Sequence, residues 1–132
     1  MKNYKILLVD DDVDDQFFFM DAIKSLNKPV ECAVANNGIE AIHHLNKIPP
    51  PPSLIFLDLN MPKMNGFECL EKIKKLEQYR DIPVVIFSTS SNPKEKERTT
   101  RLGAKVFLTK TSNFRKLQKQ LDDILKVELK PA

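Results

Sequence analysis

Asp10 and Asp11 follow Val9, Asp58 follows Leu57, Ser88 follows Phe87, and Thr109 and Lys110 follow Leu108, so four short apolar runs each end on polar groups. Three carboxylates, a hydroxyl and an ammonium brought together would have a definite chemistry. Carboxylates at close range repel, and the repulsion is relieved either by a raised pKa or by a divalent cation among them. Oxygen-only donors select a hard cation. Magnesium, which keeps several waters and accepts one or two carboxylates plus phosphate oxygens, suits this set better than zinc, because no His or Cys is near in the sequence. A carboxylate is also a nucleophile toward phosphorus and gives an aspartyl phosphate. In that chemistry Lys110 pairs with a phosphoryl oxygen, Ser88 donates a hydroxyl hydrogen bond, and magnesium neutralises the remaining charge.

These groups meet only if the four runs are neighbouring parallel strands, whose carboxyl ends lie along the sheet edge where open α/β folds bind ligands. Apolar runs of strand length do alternate with stretches of helical period, the pattern of repeated βα units. Strands are expected over residues 5–9, 30–35, 54–57, 84–87 and 105–108. The second alternates Val30, Cys32 and Val34 with Glu31 and Ala33, as at a sheet edge, whereas the third and fourth are continuously apolar and belong at the centre.

Helices are expected over about 14–26, 38–47, 66–78 and 93–101, with a fifth from Asn113. Their inward faces are assigned to Phe18, Ala22 and Ile23, then Ile42 and Leu45, then Phe67, Leu70 and Ile73, and finally Phe114, Leu117, Leu121 and Ile124. Phe17, Phe18 and Phe19 are consecutive and, at about 100° per residue, cannot all face the core. The fourth helix has Asn92 as N-cap and Pro93 in its first turn but almost no apolar residue, which predicts a mobile element. Prolines 49–52 read as a stiff extended connector.

The 132 residues suit one domain with one core, and 42% hydrophobic with 30% charged residues is a globular composition. The net charge of +3, from 21 basic and 18 acidic side chains that are interleaved, argues against a direct nucleic-acid surface. No apolar run is long enough to span a membrane, and the first residues turn acidic too soon for a signal peptide, so a cytoplasmic location is expected. Cys32 and Cys69 have no metal-ligand spacing and read as small apolar residues. His43 and His44 read as surface or boundary residues of the second helix.

Val9-Asp10-Asp11, the run Asp58-Leu59-Asn60-Met61-Pro62 with Gly66 eight positions after the aspartate, Ser88-Thr89 thirty and thirty-one after it, and Lys110 together carry a resemblance. Over nearly its whole length the chain is similar to the receiver domain of the two-component response regulator family, of the chemotaxis-regulator type. The long linker into the third strand is similar to that of phytochrome-associated regulators. The resemblance implies a flavodoxin-like, doubly wound five-stranded parallel sheet of order 2-1-3-4-5 with five helices, forming a single receiver domain over 1–132 with no effector domain. It implies that Asp58 is the phosphoacceptor, that Asp11, Asp58 and the Asn60 carbonyl bind magnesium, and that Asp10 contacts the ion through water. Ser88, Thr89 and Lys110 would bind the phosphoryl group, and Ser88 and Phe107 would form the switch, Phe107 standing in the place of the family's rotating aromatic residue. Asp12 matches no family ligand and reads as a helix N-terminal charge.

The implied activity is signalling: a histidine kinase or histidine phosphotransfer protein donates the phosphoryl group, and the altered surface binds a downstream protein. The chain would not be an enzyme beyond promoting its own phosphorylation and dephosphorylation. A receiver-like interaction module that is never phosphorylated is the alternative, although such modules typically lack a pocket residue. A haloacid dehalogenase-type phosphatase fails on its motif, because the fifth position counted from Asp10 is Asp14. A homodimer through Phe17 or Phe19 is a further expectation. The chain departs from the family at Ser88, which replaces the commoner threonine but keeps the hydroxyl, and after the lysine, where the family usually has proline and this sequence has Thr111. A cis bond before threonine costs about 2.5 to 4 kcal/mol against roughly 0.5 to 1 before proline, so a trans Lys110-Thr111 bond is expected.

Overall fold

The computed structural model describes residues 4–47 and 49–129. Five strands, β1 (Tyr4–Val9), β2 (Val30–Ala35), β3 (Leu54–Leu57), β4 (Val84–Ser88) and β5 (Val106–Thr109), form one parallel sheet in the order β2-β1-β3-β4-β5. Five helices alternate with them: α1 (Val13–Ser25), α2 (Gly38–Lys47), α3 (Gly66–Lys75), α4 (Pro93–Arg101) and α5 (Phe114–Glu128). The order runs outward from β1 to β2 and then back across to β3, β4 and β5. Right-handed crossovers therefore place α1 on one face of the sheet and α2 to α4 on the other.

Alternation within the central strands serves both faces. Leu7, Val9, Ile55, Leu57, Val84 and Ile86 pack with Ile42 and Leu45 of α2 and Cys69, Leu70 and Ile73 of α3. Ile6, Leu8, Leu54, Phe56, Val85 and Phe87 pack with Phe19, Ala22 and Ile23 of α1 and Leu117, Leu121 and Leu125 of α5. At the centre of the second cluster, the Phe19 ring meets the Phe56 ring edge-on at 4.9 Å between centroids.

Several assignments shift. α1 begins at Val13, capped by Asp12, whose side chain accepts from the Asp15 N–H; with this phase Phe19 is fully buried and Phe18 only half-buried. Phe17 stays 64% exposed, so of the two rings considered for a dimer only Phe17 faces outward. In α5 the inward row is Leu117, Leu121 and Leu125, while Phe114 is exposed and Ile124 half-buried. α3 stops at Lys75 because the backbone turns extended at Leu76. β4 and β5 each run one residue further than expected, and the added residues Ser88 and Thr109 pair with each other. The proline run contains a cis Pro49–Pro50 bond. Among the described residues no helix is long and apolar enough to cross a membrane.

Candidate phosphoryl and metal site

The strand order reverses between β1 and β3, and the crevice beyond their carboxyl ends is where such a sheet binds ligands. Val9 pairs with Leu57, so the next residues, Asp10 and Asp58, leave the sheet side by side. Backbone bonds fix both: the Asp58 N–H donates to the Val9 carbonyl at 3.0 Å and the Asp10 N–H to the Ala35 carbonyl at 3.0 Å. Asp10 is fully buried, Asp58 is 6% exposed, and Asp11 is exposed. Carboxylate oxygens of Asp10, Asp11 and Asp58 all lie within 4.8 Å of one another. An all-oxygen set of three carboxylates fits a hard divalent cation, so the residues present suit the ion that the sequence implied.

Lys110 closes the other side. Its N–H donates to the Ser88 carbonyl at 2.7 Å, continuing the β4–β5 pairing one step past Thr109. Its Nζ donates to Asp10 Oδ2 at 2.8 Å, Asp15 Oδ2 at 2.8 Å and Asp58 Oδ2 at 3.4 Å. Burial disfavours the charge on Lys110, but the hydrogen bonds to Asp10 and Asp15 and the nearby Asp58 charge outweigh it and hold the pKa above the ordinary lysine value. The Asp58 carboxyl is pushed up to about 6, chiefly by burial and further by the Asp10 charge, with Lys110 pulling the other way. Burial also raises Asp10, and its hydrogen bonds from Lys110 and the Asp12 N–H offset part of that rise.

Gly66 explains its own spacing. The chain leaves β3 at Asp58, loops, and starts α3 directly behind that aspartate: a Cβ on Gly66 would stand 2.2 Å from the Asp58 carbonyl oxygen and 2.6 Å from Leu59 Cα. Only glycine allows so close a backbone approach. Asn65 caps the helix, accepting from the Glu68 N–H at 2.9 Å while Glu68 reaches back to the Asn65 N–H at 3.1 Å. Asn60 is exposed within the loop, and its N–H lies 3.4 Å from Asp58 Oδ1.

Ser88 is fully buried, and its Oγ accepts from the Ser90 N–H at 3.3 Å. Thr89 is exposed and lines an open cleft with Asp14, Asp15, Phe18 and Lys110. Phe107 is half-buried against the α2–α3 side of the core, with Lys96 Nζ 5.6 Å from its ring centroid. Pro49–Pro50 is the cis bond among the described residues, so Lys110–Thr111 is trans, in keeping with the intrinsic cost of the alternative.

Two site residues escaped the sequence reading. Asp15 reaches Lys110 from the first turn of α1, and Gln16 Nε2 donates both to the Asp10 carbonyl at 2.7 Å and to Asn36 Oδ1 at 2.8 Å, tying the β1 and β2 ends together. The signal for Asp15 was an acidic first turn immediately after an acidic strand end.

Comparison with known proteins agrees with this geometry. Residues 6–122 match the response regulator receiver domain family. The response regulator Rcp1 of Synechocystis sp. is 33% identical over 124 residues, covering 90% of this chain and 84% of Rcp1. The crystal structure of the phosphorylated cyanobacterial phytochrome response regulator RcpA superposes with a TM-score of 0.90 at 32% identity, over 99% of this chain and 97% of that one. The Mn(2+)-bound form of Rcp1 superposes with a TM-score of 0.85 at 31% identity, over 98% and 96% of the two chains. With its five parallel strands in this order and its acidic crevice, this chain belongs to the receiver-domain response regulators of two-component systems, a family phosphorylatable on aspartate.

Proposed function

We propose that Asp58 of this response regulator receiver takes a phosphoryl group, with magnesium, from a histidine kinase or histidine phosphotransfer protein in the cytoplasm. The observation that carries this reading is the convergence of Asp10, Asp11 and Asp58 within 4.8 Å, with Lys110 on the opposite side. Among the three aspartates, the contacts favour Asp58 as nucleophile. Asp10 has both oxygens engaged, Oδ1 by the Asp12 N–H at 3.0 Å and Oδ2 by Lys110 at 2.8 Å, and it is wholly buried. Asp58 has only two long contacts, at 3.4 Å each, and a side chain that is 9% exposed.

In the transfer an Asp58 carboxylate oxygen forms the new O–P bond as the donor's N–P bond breaks, and the donor nitrogen keeps the electron pair. Asp10, Asp11, Asp58 and the Asn60 carbonyl would hold magnesium, Asp10 through water, and the ion supplies charge neutralisation for the phosphoryl oxygens. Lys110 pairs with one of those oxygens, and the Ser88 hydroxyl donates to another, with Thr89 beside them. Ser88 is buried until it turns toward the phosphoryl group, and Phe107, on the strand paired with β4, repacks with it. The readout is a changed protein-binding surface formed by α4, β5 and α5, which a downstream protein recognises; no nucleic acid or membrane enters the reading. Phe17 offers a route to a homodimer.

Protein incubated with acetyl phosphate and magnesium tests the assignment by intact mass. One phosphoryl equivalent on the native chain and none on Asp58→Asn is the expected result. A phosphoryl group retained by the variant overturns the choice of Asp58, and no adduct on the native chain returns the reading to a phosphorylation-independent interaction module.

A further inference from the structure

A lysine ammonium has three N–H donors. In Lys110 three different carboxylates take them: Asp10 at 2.8 Å, Asp15 at 2.8 Å and Asp58 at 3.4 Å. A phosphoryl group on Asp58 adds oxygens that compete for these donors, and Asp10 and Asp15, which hold the two short bonds, differ sharply in what losing the lysine would cost them. The Asp10 side chain is 0% exposed, so without Lys110 it becomes a buried charge held by one backbone N–H. The Asp15 side chain is 40% exposed. It also sits in the first turn of α1, where the helix dipole and free N–H groups favour a negative charge. Water and the helix end stabilise Asp15 whether or not the lysine is present.

We propose that Asp15 is a positioning residue that holds the Lys110 ammonium while Asp58 is unmodified and releases it to the phosphoryl group. This rests on the reading that Lys110 contacts that group. Asp15 therefore competes with the phosphoryl oxygens for one cation, and its charge acts against the phosphorylated state. Its place in the chain is built for this role. The Asp12 side chain fixes the first turn by accepting from the Asp15 N–H at 3.0 Å, so Asp15 is presented toward the end of β5 and not toward solvent alone.

The test is the affinity for beryllofluoride, a phosphoryl analogue, in the presence of magnesium, read by fluorine NMR of the bound species. Native protein is compared with Asp15→Asn, Asp15→Glu, Lys110→Met and the double variant Asp15→Asn/Lys110→Met. Removing a half-exposed ion-pair partner should tighten the analogue about two- to fivefold in Asp15→Asn. Asp15→Glu, which keeps the charge, should return toward native affinity. Lys110→Met should weaken binding, and in that background Asp15→Asn should change nothing, because Asp15 acts through the lysine. Unchanged or weaker binding by Asp15→Asn overturns the proposal while Lys110→Met still weakens binding. A gain that persists in the Lys110→Met background also overturns it, by showing a direct charge effect. Lys110→Met with native affinity overturns the underlying reading of Lys110 and the proposal with it.

Discussion

The Arg98 guanidinium stands 4.0 Å over the centroid of the Phe67 ring, joining α4 to the residue that follows Gly66 at the back of Asp58. α4 has little else to hold it. Thr99 is its one buried side chain, and the Thr99 hydroxyl donates to the Lys96 carbonyl of its own helix. Other ties are the Lys96 ammonium near Phe107, a Ser90–Glu95 hydrogen bond at the helix entrance, and half-buried Leu102 at its end. A helix attached by cation–π contacts can detach without breaking the core, and one of those contacts is only a residue away from the backbone that backs the acidic crevice.

Arg98→Ala should therefore loosen α4 selectively. A cation–π contact contributes about 0.5 to 2 kcal/mol according to its desolvation, enough to speed amide exchange over residues 93–101 by several-fold while leaving β1, β3 and β4 unchanged. Lysine lacks the planar face that stacks on an aromatic ring, so Arg98→Lys should restore only part of the protection. Exchange in α4 identical to native in both variants would show that the contact carries no weight.

How much of this was legible beforehand differs between sheet, helix and site. The apolar runs 54–57 and 84–87 identified the central strands, and their polar followers gave Asp58 and Ser88, because a buried parallel strand and its end are local features of sequence. Helix phase was less legible. Of the inward face expected for α1, Ala22 and Ile23 are buried, but Phe19, three residues before Ala22, and not Phe18 meets Phe56 and Phe87. Asp15 was missed for a related reason. Its meeting with Lys110 spans 95 positions and depends on where the first turn of α1 points, which composition does not encode. The Arg98–Phe67 stack depends likewise on the relative placement of two polar helix faces, each of which reads as solvent-exposed when taken alone.

Gly66→Ala should disturb the site and the fold together. The new methyl would fall 2.2 Å from the Asp58 carbonyl oxygen and 2.6 Å from Leu59 Cα, both backbone atoms that cannot rotate away. Overpacking of this kind costs about 1 to 3 kcal/mol, measured as a lower midpoint in denaturant. The displaced loop carries both the Asp58 carboxylate and the Asn60 carbonyl, so magnesium titration of the folded variant should show weaker binding than native. A variant of native stability and native magnesium affinity would mean that the loop yields freely and the glycine is not required.

The two cysteines should be chemically quiet in the folded chain, for different degrees of the same reason. Cys69 is fully buried between α3 and the sheet, and Cys32 is half-buried on β2. Burial pushes both thiols up to about 12. With the thiolate as the reactive form, only about one part in ten thousand is available at pH 8. Iodoacetamide at pH 8 should thus label neither residue readily in native protein and both in denaturant. Raising the pH toward 10 should speed labelling of Cys32 about tenfold per unit, since its thiolate fraction grows that way below the pKa. Cys69 should stay protected under the same conditions, because reagent reaches it only when α3 lifts from the sheet. Rapid native labelling of Cys69 at pH 8 would contradict the packing of α3, and with it the support that this helix gives to the back of Asp58.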